Sequence, residues 1–315
     1  MKPAILLIGN NGQVGRELHR MLPQLGEMIS LGRSQLDLSK PEEIRNAIRT
    51  VRPNFIVNAA AYTAVDKAET EQALARTINA EAPALMAQEA KMIGALFVHY
   101  STDYVFDGSK SSPYTEEDST NPQNVYGRTK LEGELAIQNS GALNLIFRTE
   151  WVYGTEGRNF LLTILRLAAQ REELKIVRDQ IGAPTTSREI AQATTKILSQ
   201  IQVQGNGSFS PENISGIYHM TAGGQTTWYD FARAILERAS KIDPGVPWFA
   251  AATEKRPLIA RNVIPIPSSE YPTPARRPAY SVLSNERLAR VFSARLPDWG
   301  TQLDSVFMDR PPQNI

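Results

Sequence analysis

The chain of 315 residues predicts an α/β protein, with a doubly wound parallel sheet first and a smaller, irregular C-terminal domain after it. Three observations predict this. Short apolar runs alternate with stretches of helical spacing over the first 150 residues. The first apolar run breaks into a glycine-rich turn that leads straight into a helix. From Pro244 onward prolines crowd the chain, and Pro265, Pro267, Pro272, Pro274 and Pro278 forbid long helices there.

Residues 4–8 form an apolar run closed by Gly9, the pattern of a buried strand, and Val14, Leu18, Met21 and Leu22 follow at helical spacing. Residues 28–31 read as a second strand ended by Gly32, and residues 55–58 as a third behind Arg52-Pro53-Asn54. A helix is expected over 82–93, a strand over 95–100, a helix from near Tyr126 to Gln138, and a fifth strand over 143–147. Strand and helix in this alternation place parallel strands side by side with helices on both faces. Beyond residue 150 the rhythm changes: helices over 160–170, 189–201 and 228–240, a short strand over 174–177, and a polar loop over 204–213. Residues 217–220 read as a strand that rejoins the main sheet. Residues 1–150 with that strand are expected to form one domain, and residues 151–315 most of the other. There is no internal repeat and no low-complexity tract.

Composition removes several functions. A formal net charge of +1 gives no long-range field to attract nucleic acid or an anionic membrane. Without cysteine there is no disulfide, thiolate metal site or cysteine nucleophile. His19, His99 and His219 stand isolated, which argues against a histidine metal site and for ordinary buried or surface roles. The apolar run after Lys2 is too short for a signal peptide, whose core needs roughly 7–15 residues. Nor does any stretch approach the roughly 18–20 apolar residues that span a bilayer. A cytoplasmic protein is expected.

The turn after the first strand reads Gly9-Asn10-Asn11-Gly12-Gln13-Val14-Gly15. Glycines at these places let the backbone turn sharply and approach a pyrophosphate, which the free N–H groups of the helix start then bind. Glycines alone are a weak sign; strand, turn and helix in succession make it a Rossmann-type dinucleotide site. The second strand ends in Leu31-Gly32-Arg33-Ser34, without the acid that binds an NAD ribose. Arg33 and Ser34 instead suit a 2′-phosphate, so NADPH is expected over NADH. Asp37, followed by Leu38, is placed to meet the adenine amino group. The third strand runs into Asn58-Ala59-Ala60-Ala61-Tyr62-Thr63, whose small side chains leave room for a flat cofactor.

Tyr126 and Lys130 stand four apart at the head of a helix, on one face. A tyrosine with its ordinary pKa near about 10 is a poor acid–base catalyst at neutral pH. A neighbouring ammonium is expected to pull it down, and the same lysine to hold the nicotinamide ribose. Tyr-x-x-x-Lys arises often by chance; the strand end Tyr100-Ser101-Thr102-Asp103-Tyr104-Val105-Phe106 gives it weight. There a Thr102 hydroxyl could polarise a ketone beside Tyr126 while hydride arrives from the nicotinamide.

Together these features resemble the extended short-chain dehydrogenases. Longer stretches resemble the dTDP-4-dehydrorhamnose reductase family: Gly12-Gln13-Val14-Gly15, the run from Asn58 to Glu69, the run from Ser101 to Phe106, the run from Phe147 to Gly154, and the run from Tyr271 to Pro278. The resemblance implies reduction of dTDP-4-dehydro-6-deoxy-L-mannose to dTDP-L-rhamnose. It puts the catalytic hydroxyl, acid and lysine at Thr102, Tyr126 and Lys130. Cofactor contacts fall at Gly12, Gln13, Val14, Asp37, Leu38, Ala61 and Thr63, and substrate contacts at Thr102, Asp103 and Trp151. Trp151 offers an apolar plate to a sugar or thymine, and Arg276 and Arg277 are fork-shaped donors suited to a nucleotide pyrophosphate. Some members form Mg2+-bridged homodimers through glutamates. Glu17 and Glu286 lie in comparable places, but residues 182–189 supply only Arg188 or Glu189 where the third carboxylate belongs. A monomer and a homodimer are both compatible with the sequence.

Two other functions share these features. An epimerase of the same superfamily has the fold and the Tyr-Lys pair; a dehydratase usually has Glu after the Asp that follows its threonine, where this chain has Tyr104. A non-catalytic regulatory subunit with this fold would not need Thr102, Tyr126 and Lys130 intact.

Overall fold

The structure, a computed structural model, describes residues 2–203 and 211–308. Six strands form its central sheet: β1 (Ala4–Ile8), β2 (Glu27–Leu31), β3 (Phe55–Asn58), β4 (Leu96–Thr102), β5 (Asn144–Thr149) and β6 (Gly216–His219). Their order is β6-β5-β4-β3-β1-β2, every neighbouring pair parallel. The expected late strand does rejoin the sheet, Tyr218 beside Phe147.

Alternate residues of one strand serve opposite faces. Ile5 and Leu7 pack with Leu18 and Leu22 on one side, with Ile190 and Ile197 completing the layer. Leu6 and Ile8 pack on the other side with Ile44, Ile48, Met86 and Ile137. Buried on both faces, the strands read as apolar runs without alternation.

The helices that cover the sheet are α1 (Gln13–Met21), α2 (Pro41–Val51), α3 (Ala82–Ile93), α4 (Val125–Ser140) and, from the second half, α5 (Ser187–Val203). A separate core gathers Tyr153, Leu161, Leu165, Phe231, Ile235, Phe249 and Leu303. Its helices include α6 (Trp228–Ala239) and α7 (Trp299–Met308). Between Pro244 and Pro278 the chain holds only short elements, a helix at Pro247–Ala252, a helical turn at Ser268–Glu270 and a strand at Asn262–Ile266 paired with Glu173–Val177. Residues 204–210 of the expected polar loop lie outside the described residues; Pro211–Ile214 is a short helix.

Strand order reverses between β1 and β3, which makes the crevice beyond their carboxyl ends the natural ligand site of such a sheet. The glycine turn and the alanine run both leave the sheet at this point.

Candidate active site

A cavity of about 790 Å³ opens at that crevice. Its walls bring together Gly9, Gly12, Gln13, Val14, Arg33, Asp37, Leu38, Ala59, Ala60, Ala61, Thr63, Tyr126 and Lys130. Residues from four separated segments thus meet where the sequence placed a dinucleotide. Gly9 has φ +88° and lies so close to the Ala60 backbone that a Cβ would stand 2.6 Å from its nitrogen. Gly15 is a correction to the set: it faces the protein, its missing Cβ 2.0 Å from the Gly9 oxygen. It brings α1 against the turn and does not line the cavity. Gly12 is different, since a Cβ there would meet its nearest atom at 3.4 Å. The protein's own packing does not demand that glycine, whose backbone lies open to the cavity. No side chain caps α1 and no acid sits in its first turn, so its positive end is left for an anion. These residues fit a dinucleotide.

At the far end Arg33 is exposed on the rim, close enough to the Asp37 carboxylate for its charge to act there. Asp37 is already engaged: its Oδ1 accepts from the Ser39 hydroxyl at 2.8 Å and the Ser39 N–H at 3.0 Å. These bonds hold its carboxyl below the usual range and leave Oδ2 for a ligand. Arg158, which the sequence reading missed, lines the other end beside Gln13 and Val152. Its loop is tied down by Asn159, which donates to Gln13 Oε1 at 2.9 Å, and by Glu156, which pairs with Arg16 and Arg20. Nothing local in the sequence joins that loop to a turn some 140 positions earlier.

The helix carrying Tyr126 and Lys130 is placed by three contacts. Asn124 caps it, accepting from the Gly127 N–H at 2.8 Å and donating to the Arg276 carbonyl at 2.7 Å. Gly127 lets the helix start lie on the Tyr104 carbonyl, which a Cβ would meet at 2.2 Å. Buried Asn79, from a π-helical turn at Thr77–Glu81, donates to Thr129 Oγ1 and to the Tyr62 carbonyl. It thereby fixes α4 to the alanine run. The Tyr126 ring meets Tyr104 edge-on at 5.6 Å.

Lys130 is buried and donates to the Tyr100 carbonyl at 2.6 Å, with His99 Nε2 at 3.0 Å. Burial lowers its pKa to about 8 and holds His99 well below the usual histidine value. The expectation that Lys130 depresses the Tyr126 phenol is corrected here. Burial first and the Asp103 charge second push that phenol well above its ordinary value, and a Thr102 hydrogen bond opposes them. The ammonium is spent on Tyr100 and His99, so desolvation wins. A phenol so held is protonated at neutral pH, the state a proton donor needs.

The five residues expected to hold substrate fall outside the cavity wall. Buried Thr102 donates to Asp103 Oδ1 at 2.8 Å and accepts from the Tyr104 N–H at 3.2 Å. Trp151 adopts φ +45°, a backbone state that costs a bulky residue about 1–3 kcal/mol. Its ring stacks on Trp228 at 3.4 Å, which covers one of its two faces. Arg277 does not act as a free clamp: both its terminal nitrogens donate to Asp66 at 2.9 Å. Arg276 stays exposed, 3.4 Å from Gln123. Glu17 pairs with Arg20 and Glu286 with Arg295. Among the described residues no cluster of three or more acidic or histidine groups could hold a metal ion, and no helix is long and apolar enough to cross a membrane.

Sheet, crevice and the presence of Tyr126 and Lys130 on one cavity wall define an oxidoreductase of the extended short-chain dehydrogenase type. The family described as RmlD substrate binding domain matches residues 1–310, and the chain belongs to it. It is similar to the dTDP-4-dehydrorhamnose reductase of Burkholderia thailandensis, 50% identical over 296 residues that cover 94% of this chain and 95% of that protein. Several solved structures bear the same enzyme name, two of them as follows. That from Clostridium acetobutylicum is 35% identical with a TM-score of 0.84, covering 96% of this chain and 98% of its own. That from Bacillus anthracis, in complex with NADP, is 30% identical with a TM-score of 0.84, covering 98% and 99%.

Proposed function

We infer that the chain reduces the 4-keto group of dTDP-4-dehydro-6-deoxy-L-mannose with NADPH, giving dTDP-L-rhamnose for surface polysaccharide synthesis. One observation carries the reading: Tyr126 and Lys130 face the same cavity as the glycine turn and the uncapped end of α1. The dTDP-4-dehydrorhamnose reductase relatives and the NADP-bound neighbour support substrate and cofactor. The open Arg33 at the rim supports NADPH over NADH.

Bound in the crevice, the cofactor supplies hydride to the ketone carbon. Tyr126 donates its phenol proton to the oxygen as the alkoxide develops, and Thr102 polarises that oxygen. Lys130, desolvated and fixed on Tyr100, presents its remaining N–H to the ribose and holds its orientation. Asp103 and Trp151 border the sugar, with Arg276 at the nucleotide side. Residues 1–150 with β6 act as the dinucleotide domain, and most of 151–315 as the substrate domain. A soluble nucleotide sugar and reduced nicotinamide as reactants support a cytoplasmic location.

The test is nicotinamide absorbance with the 4-keto dTDP sugar and each reduced cofactor. Oxidation that depends on the sugar and is faster with NADPH is the expected result. No oxidation with any nucleotide sugar would overturn the reading in favour of a regulatory subunit.

A further inference from the structure

Residues 154–159 run along α1 as a strap. Glu156 reaches down the helix, its two oxygens pairing with Arg16 at 2.7 Å and Arg20 at 2.6 Å. At the other end Asn159 donates to Gln13 Oε1 and to the Gly154 carbonyl, each at 2.9 Å, and accepts from the Leu162 N–H at 3.1 Å. One amide thus closes the loop on itself, caps the helix Phe160–Ala168 and ties both to the first residue of α1. Gly157, at φ +84°, passes so close that a Cβ there would stand 3.5 Å from the Gln13 side chain.

Arg158 is held between these contacts, since the residue on either side of it meets Gln13. Its exposed side chain lines the cavity with Gly12 and Gln13, and among the described residues it has no ion-pair or hydrogen-bond partner. The two arginines of α1 are already spent on Glu156. A guanidinium is a planar fork of donors that matches phosphate oxygens, and this one is left open beside a helix end that no side chain caps. The cavity wall as a whole carries Arg33, Lys67, Lys130 and Arg158 against the carboxylates of Asp37 and Glu71, a balance that suits an anion. Because the backbone at Arg158 is tied on both sides, little of its ordering remains to be lost when that anion binds.

We propose that Arg158 binds the diphosphate of the dinucleotide together with the Gly12 turn, and that the strap over 154–159 holds it in place. The proposal rests on the reading of the crevice as a nicotinamide cofactor site and deepens it. Turn and helix end supply neutral N–H donors; Arg158 adds a full positive charge beside them. The diphosphate is common to NADPH and NADH, so Arg158 sets the affinity for both, whereas Arg33 governs the choice between them. A nucleotide sugar carries the same anion, but Gly12 and Gln13, which share this wall with Arg158, belong to the dinucleotide turn. Glu156 touches no ligand. It is a positioning residue that acts through the strap, and its share is small because exposed ion pairs hold weakly.

Calorimetric binding to the full chain tests this without turnover. Arg158→Gln removes an exposed, unpartnered side chain and should leave the melting temperature in place. It should weaken NADPH and NADH alike by about tenfold or more, with the affinity for dTDP unchanged. Arg158→Lys should recover only part of the loss, since the charge returns without the fork. A loss confined to NADPH would assign Arg158 to the 2′-phosphate, and a loss confined to dTDP would assign it to the nucleotide sugar. Either result, or unchanged affinity for all three, overturns the proposal. For the strap, Glu156→Gln should weaken both cofactors by about two- to fivefold and add nothing in the Arg158→Gln background. Losses that multiply in the double variant overturn the positioning role. An unmodified protein that binds neither cofactor would sink the dinucleotide reading itself, whereas normal binding there with an inert Arg158→Gln strikes the arginine alone.

Discussion

Lys130 donates a 2.6 Å hydrogen bond to the main-chain oxygen of Tyr100, two residues before Thr102 on the same strand. That bond fixes the lysine to the sheet and leaves the neighbouring phenol to desolvation and to Asp103. In the proposed reduction Tyr126 is therefore expected to serve as a protonated donor, not as a preformed phenolate.

Tyr126→Phe keeps the ring against Tyr104 and removes only the proton. Turnover should fall by about 10²–10⁴-fold, with NADPH affinity near that of the unmodified protein. Steady-state kinetics with a cofactor titration check it; unchanged turnover removes Tyr126 as the acid.

Arg33 is exposed on the rim of the cavity, where the proposed function sets the adenosine end of the cofactor. Arg33→Asp should repel a 2′-phosphate and accept a ribose hydroxyl. The ratio of kcat/KM for NADPH to that for NADH should drop by about tenfold or more, a loss of roughly 1.4 kcal/mol of discrimination. An unmoved ratio discards the clamp.

Much of this was legible in the residues. β1 and β3 fall on the bounds their apolar runs gave, as does α3, because strands buried on both faces leave no room for polar interruption. The cavity gathered nearly the whole expected cofactor set for the same reason: glycine and alanine at strand ends mark close approach. What stayed hidden was pairing over distance. Asn79 bracing Thr129, Asp66 holding Arg277, and Ser281 donating to Glu150 join residues that no local spacing relates. The phenol shift was misjudged because Tyr-x-x-x-Lys gives the helical face of a lysine and not the acceptor its ammonium reaches.

Arg276 and Arg277 should now separate. Arg277 is partly buried in its fork to Asp66, so Arg277→Gln should cost about 1 kcal/mol in urea unfolding after allowance for solvent screening. Arg276→Gln should leave stability within about 0.5 kcal/mol and raise KM for the nucleotide sugar. The reverse pattern would return the clamp to Arg277.

Two buried carboxyls predict how stability follows pH. Asp103 and Glu150 are both raised above their unfolded values, so the native state holds more protons than the unfolded chain above about pH 4. Their contribution is complete below that point and is lost as pH rises through the folded value of about 7 for Asp103. Each pH unit in that window costs about 1.4 kcal/mol per extra proton held. Glu150→Gln should flatten the decline. Denaturation midpoints that fall in parallel for both proteins would show that the pair holds no proton.

Two glycines of one turn should fail in opposite ways. Helix propensity alone favours alanine over Gly15 by about 1 kcal/mol. The added Cβ, however, would stand 2.0 Å from the Gly9 carbonyl oxygen, a backbone atom that cannot swing aside. Moving α1 outward should cost about 1–3 kcal/mol, so Gly15→Ala is expected to destabilise despite its propensity. At Gly12 the nearest atom is 3.4 Å away, and the chain has ordinary extended φ, so alanine fits the folded protein. Its methyl would project where a pyrophosphate approaches the backbone. Gly12→Ala should melt within a few degrees of the unmodified protein and bind NADPH about tenfold or more weakly. Equal loss of stability in the two variants, or full cofactor affinity in Gly12→Ala, would mean that the turn serves the fold alone.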